Sequence, residues 1–215
     1  VSLISFQETA RSEVRDVGAT HEDREHSFDH GPHGIADLDR MPRDARYELV
    51  NGWIVMSPWP GLRHDYVVKK LVRILDSAIE SVGADLYVNG PVDMYTVRGL
   101  RVPDIAVADW ASVRQGLEDD ERAHSPHSVK LVIEVISRNS GSERTDRYEK
   151  ANEYAASGVQ EYWIVDTQPS MNITRYSLAP GFLTYHRRER VFAGAVFKSE
   201  TPVPIEFDPA VLLEA

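Results

Sequence analysis

The sequence predicts a mixed α/β fold: a central mixed sheet flanked by helices, with an N-terminal hairpin and extra strands at the C-terminal end. Three observations lead there. Short apolar runs rich in β-branched residues recur, and two of them, residues 131–136 and 160–166, are strand-length and bounded by turn residues. Between them a helical pattern runs from 143 to 157 and stops at Gly158, so strand, helix and strand follow in order. Upstream, residues 64–82 read as a longer amphipathic helix preceded by a hairpin.

Taken in order, residues 1–38 carry little apolar periodicity and many charges. They are expected to be a flexible polar segment, with residues 39–215 forming a single domain. His21, His26, His30 and His33 lie in that segment at irregular spacings, which suits a polar tail better than a metal site. Order begins near Tyr47. Tyr47-Glu48-Leu49-Val50 and Trp53-Ile54-Val55-Met56 flank Asn51-Gly52, a pair that accepts the positive φ angles of a two-residue turn. Val67, Val68, Leu71, Ile74, Leu75, Ala78, Ile79 and Val82 fall on one face of the next helix, and Gly83 ends it. Strands are expected near 85–88, 92–96 and 102–108, then a polar loop over 114–126. Beyond residue 166, strands are expected near 171–178, 183–191 and 203–207, with Asp208 capping a short helix through Leu213.

Composition narrows the chemistry. The chain has no cysteine, which excludes disulfides, thiolate metal sites and cysteine nucleophiles. No run of about 18 apolar residues is present, so no spanning helix is expected, and the start lacks a signal-peptide pattern. A cytoplasmic protein without membrane contact is the expectation. The formal charge is −10, and half of it lies in residues 1–40, with nine acids against four arginines. Such a balance opposes a strong sequence-independent grip on nucleic acid, although an acidic metal site adds negative charge that its ions neutralise.

Two acids stand where acids are costly. Glu134 interrupts Leu131-Val132-Ile133-Glu134-Val135-Ile136, and Asp104 interrupts Val102-Pro103-Asp104-Ile105-Ala106-Val107-Ala108. An unpaired carboxylate buried in a strand costs roughly several kcal/mol or takes up a proton. Two of them suggest a shared partner, for which a divalent cation bound by hard oxygens is the obvious candidate. Alternation puts Val132, Glu134 and Ile136 on one face, and Val102, Asp104 and Ala106 on one face. If the strands are neighbours, the carboxylates can converge where the small Ala106 leaves room. In the helix from Asp146 to Tyr154, Tyr148, Ala151 and Ala155 form the apolar stripe, flanked by Arg147 and Lys150 at i, i+3. Lys150 could reach the acids or remain a surface lysine paired with Asp146, and periodicity alone favours the surface.

Other motifs carry less. His64 opens a helix, where it could bind phosphate, cap or pack. His124-Ser125-Pro126-His127 reads as a turn rather than a zinc site. Ser137, Ser140 and Ser142 lack a Gly-X-Ser-X-Gly elbow, and no phosphate loop or dinucleotide fingerprint is present. Of the four tryptophans only Trp59, between two prolines, looks exposed enough to stack on a base.

Together, Val102-Pro103-Asp104, the run from Leu131 to Ser137, then Asp146, Tyr148, Lys150 and Tyr154, and the stretch from Gly158 to Asp166 resemble the Uma-two family. That family belongs to the PD-(D/E)XK, restriction-endonuclease-like superfamily. The hairpin from Tyr47 to Gly52 and His64 also match, and the resemblance spans roughly residues 40–190. It implies a metal-dependent DNA endonuclease using one or two Mg²⁺ or Mn²⁺ ions, with RNA not excluded. Carried over, Asp104, Glu134 and Lys150 are catalytic, and Asp104, Glu134 and Glu48 are metal ligands, with the Val135 carbonyl as an extra oxygen. His64 and Arg147 are weaker substrate-binding candidates. Ile136 stands where the superfamily has its Glu-X-Lys lysine, and Lys150 takes the position shifted to the following helix. Two alternatives stay open. One is a catalytically silent module binding nucleic acid or a protein partner. The other is a structural protein whose buried acids pair with Arg101 or Arg147. Apolar strand edges in the C-terminal half suggest a homodimer.

Overall fold

The structure, a computed structural model, describes residues 31–57, 59–136 and 145–214. Helix α1 (Ile35–Leu38) comes first, and its Leu38 packs with Leu49, Ile54 and Leu100. The packed region therefore starts at Ile35, inside the stretch expected to be a polar segment. His33 is also described, while residues 1–30, including the other three early histidines, lie outside the described residues.

Strands β1 (Arg46–Val50) and β2 (Trp53–Ser57) pair antiparallel, with Val50 opposite Trp53. Asn51 and Gly52 both have positive φ, which matches the strand twist across a two-residue turn. Helix α2 (Leu62–Val82) buries His64, Val67, Leu71, Leu75 and Ile79, a stripe at i, i+3 and i+4. Gly83 caps it in the left-handed region. Val82 falls off the buried stripe and is exposed.

Strands β3 (Leu86–Asn89), β4 (Met94–Thr96), β5 (Gly99–Arg101) and β6 (Ile105–Asp109) follow. Helix α3 (Trp110–Glu118) then occupies residues read from the sequence as strand-end and polar loop. Its one buried apolar residue, Val113, is too weak a periodic signal to reveal it. Strand β7 (Val129–Ile136) precedes a single π turn (Thr145–Lys150) that continues into α4 (Ala151–Ala156). Strands β8 (Glu161–Asp166), β9 (Asn172–Ser177) and β10 (Arg187–Phe192) complete the large sheet. Strands β11 (Phe197–Ser199) and β12 (Ile205–Phe207) form a separate hairpin. A 3₁₀ turn (Pro209–Leu213) ends the described chain, its first turn capped by Asp208 accepting from the Ala210 amide.

The large sheet has the order β10-β9-β8-β7-β6-β3, and only β7 and β8 run parallel. A parallel pair needs a crossover, and the π turn with α4 supplies it. A second sheet, β2-β1-β5-β4, carries the hairpin. Ile105, Val107, Leu131, Ile133 and Val135 pack with α2 on one face of the large sheet. Ala106, Ala108, Val132, Ile136 and Ile164 pack with α4 on the other. No helix among the described residues is long and apolar enough to cross a membrane.

Candidate active site

Strands β6 and β7 are antiparallel neighbours, with Ile105 opposite Ile133. Asp104 stands one residue before β6, not inside it, so its side chain is not bound by strand alternation. It accepts from the Val135 amide at 2.9 Å, which fixes it against the C-terminal end of β7. Glycine is required nearby: a Cβ on Gly90 would lie 2.0 Å from the Asp104 carbonyl oxygen.

Each acid of the cluster is buried and paired. Asp104 Oδ1 accepts from Arg46 at 2.7 Å, and Oδ2 meets His64 Nε2 at 2.9 Å. Arg46 and Glu48 are two residues apart on β1, so alternation turns both to the same side. Glu48 accepts from Arg101 Nη1 at 2.8 Å and from the Val102 amide at 3.1 Å, and lies 3.2 Å from Lys150 Nζ. Glu134 Oε1 accepts from Lys150 Nζ and from the Tyr154 hydroxyl, both at 2.9 Å. Lys150 and Tyr154 are one helical turn apart, which is why they meet a single oxygen. Arg101 is 1% exposed and also holds Glu153 through Nε at 3.0 Å and Nη2 at 2.6 Å. Thr96 donates to the other Glu153 oxygen.

These pairings set the charge states. Burial alone would raise the Glu48 pKa, but Lys150 and Arg101 overcome it and hold the group near 2. Burial likewise opposes Asp104, and His64 with Arg46 brings it to about 2. Burial drives the Tyr154 hydroxyl well above its ordinary value, reinforced by Glu134.

Lys150 is buried in this network rather than lying on the surface beside Asp146, the reading that periodicity favoured. The π turn is the physical reason. It changes the rotation per residue, so Tyr148 swings out to 67% exposure while Lys150 turns inward. Glu48, His64, Asp104, Glu134 and Lys150 are thus brought together. Arg147 instead holds Asp166 at the end of β8. Sequence reasoning missed Arg46, Glu153 and the part taken by Tyr154. Arg46 could have been found from its i, i+2 relation to Glu48, and Tyr154 from its i+4 relation to Lys150. Ser137, Ser140 and Ser142 lie outside the described residues.

Among the described residues, no three His, Asp or Glu side chains are placed together to enclose a metal ion. The Glu48 oxygens are held by Arg101, Lys150 and the Val102 amide. The donor set still fits one class of ion. Four carboxylates face two arginines and one lysine here, leaving the network rich in hard oxygen. Mg²⁺ commonly takes one or two carboxylates and fills its remaining positions with water and phosphate.

Comparison with solved structures finds a likeness to a crystal structure entitled a putative nuclease belonging to DUF820 from Anabaena variabilis ATCC 29413. The TM-score is 0.64 at 17% identity, over 84% of this chain and 97% of that one. At that identity the likeness shows a shared fold, which is restriction-endonuclease-like. A search of curated proteins found no match. The family model Uma2, described as "Putative restriction endonuclease", matches residues 35–211, and the chain belongs to that family.

Proposed function

We propose that the chain is a metal-dependent endonuclease that hydrolyses phosphodiester bonds in DNA. The observation that carries this reading is the meeting of Asp104, Glu134 and Lys150 within one buried network built from three separate elements. Asp104 and Glu134 would hold Mg²⁺ or Mn²⁺, with the Val135 carbonyl on the same strand edge as the amide that binds Asp104. When bound, such an ion supplies Lewis acidity toward the phosphate and the attacking water.

The chain's own residues do the rest. Lys150 Nζ, oriented by Glu134 and Glu48, donates to the attacking water or to the phosphate oxygen that gains charge. Tyr154 fixes the Glu134 carboxylate, and its raised pKa keeps the hydroxyl a donor. Arg46 and His64 supply donors beside Asp104 that suit a phosphate oxygen. Glu48 and Arg101 act as positioning residues.

The complete pairing of the acids favours one other reading, a structural ion-pair network without catalysis. Nicking of supercoiled plasmid with Mg²⁺ or Mn²⁺, beside Asp104→Ala, separates the two. Cleavage by the parent and none by the variant is expected. Failure of the parent to cleave or to bind either ion would sink the nuclease reading and leave the structural one.

A further inference from the structure

The outer face of α2 carries an unusual set of cations. Arg63, Tyr66, Lys70 and Arg73 fall within about 80° of arc at 3.6 residues per turn, with Lys69 on the flank. Arg63, Lys69 and Arg73 are exposed, and Lys70 is half-buried. None of these four makes an ion pair among the described residues. Elsewhere some exposed cations are tied to acids, as Arg40 is to Asp37, Arg114 to Asp85 and Lys198 to Glu206, while Arg43, Arg98, Arg188 and Arg190 stand singly without an ion pair among the described residues. What sets these four apart is their grouping on one helix face without an ion pair, although Asp65, Asp76 and Glu80 stand on the same helix, in a chain with 34 acids and 24 Lys and Arg. Tyr66 is itself anchored, its hydroxyl donating to the Glu214 carbonyl, and Lys70 Nζ sits 5.6 Å from its ring centroid.

Helix stability does not explain the arrangement. Arg63 lies in the first turn, where the helix dipole disfavours a cation, and Asp76 and Glu80 lie toward the C-terminal end, where no basic residue is found. Solubility does not explain it either, since a net charge of −10 already supplies that. Position does: His64, next to Arg63, is the residue whose imidazole reaches Asp104. The cations then run away from the cluster for about 15 Å at ~1.5 Å per residue.

We propose that this stripe is a phosphate-backbone contact for nucleic acid, leading the strand toward the Asp104 cluster. The inference rests on the nuclease reading for its direction, but not for its existence. It also resolves the conflict between an acidic chain and a nucleic-acid substrate, because a local basic stripe can bind phosphates while the rest of the surface repels them.

The test is binding of the full chain to a short fluorescent DNA duplex in EDTA, by anisotropy across a salt series. The variant Arg63→Gln/Lys69→Gln/Lys70→Gln/Arg73→Gln is compared with Arg40→Gln/Arg114→Gln/Lys130→Gln/Lys198→Gln, which makes the same change in net charge. The stripe variant is expected to bind at least about tenfold more weakly and to lose about 3.6 from the log K against log salt slope, as four lost phosphate contacts require. The control variant should retain most of the parent slope. Equal loss in both variants, or no binding by the parent, overturns the stripe. Tighter binding of an RNA duplex with the same variant pattern keeps the stripe and makes the polymer RNA. Because no metal is present, failure of plasmid cleavage leaves this result standing, and loss of the stripe leaves cleavage to be judged separately.

Discussion

Two buried ion-pair groups lie at the ends of the parallel strands β7 and β8, and they are built differently. At the start of β8, Glu161 accepts from Arg175 Nε at 2.8 Å and Nη2 at 2.9 Å, with Thr201 at 3.0 Å. One acid meets one arginine from the adjacent strand in a forked pair. At the end of β7, Glu134, Asp104 and Glu48 come from three elements and share Lys150, Arg101 and Arg46 with Glu153. The first group is a staple whose polar atoms answer each other. The second brings several acids from separate elements together with the cations that pair them. Both are buried, so burial of an acid does not by itself distinguish the two groups; convergence of several acids does.

The sharpest way to break this comparison is to remove one acid from each group. Glu134→Gln is expected to reduce metal-dependent cleavage by at least about 10³-fold, the scale of several kcal/mol of lost charge stabilisation. Glu161→Gln should leave cleavage unchanged and lower stability by about 3 kcal/mol, because Arg175 loses its buried partner. Plasmid nicking and urea unfolding read the two effects, and loss of cleavage with Glu161→Gln would erase the distinction.

Next in size is Lys150→Met, which keeps the length of the side chain and removes its charge. Cleavage should fall by about 10²–10³-fold, as for loss of one transition-state donor. A stopped assay over time measures it. A variant that cleaves at the parent rate would make Lys150 a staple like Arg175.

Acid sharpens the comparison further. Glu48 falls from 4.5 to about 2 and Asp104 from 3.8 to about 2 in the folded chain. The unfolded chain therefore takes up these protons first. Their stabilising contribution is complete above about pH 5 and is lost as pH falls through 4 toward 2, by ~3 kcal/mol for Glu48 at 1.36 kcal/mol per unit. Urea midpoints measured in EDTA should hold from pH 6 to about pH 5 and then drop toward pH 3, and Glu48→Gln should flatten the drop. A Glu48→Gln profile parallel to the parent would show that this pairing does not control acid stability.

Gly90→Ala tests the backbone frame around Asp104 rather than its charge. Its Cβ would lie 2.0 Å from the Asp104 carbonyl oxygen, so backbone must shift, at a cost of about 3 kcal/mol or more. Thermal unfolding should register it, together with weakened Mg²⁺ binding. An unchanged melting temperature would mean that the backbone can yield there.

The sequence by itself determined the mixed α/β class, the Asn51-Gly52 hairpin, the α2 stripe and the β7–helix–β8 order, because each rests on local periodicity or turn chemistry. It also marked Asp104 and Glu134, since an acid in an apolar run is costly wherever the chain folds. Tertiary structure alone decided the rest. Lys150 faces inward because a π turn breaks the 3.6-residue period on which its surface reading depended. Arg46, Arg101 and Glu153 join the cluster from separate elements, and no local pattern specifies which distant charge will lie opposite. Asp104 reaches Val135 because it stands just outside its strand, where alternation no longer applies. Pairing of charges across long sequence separations depends on the packing of the whole domain, so it becomes visible only once the sheets and helices are in place.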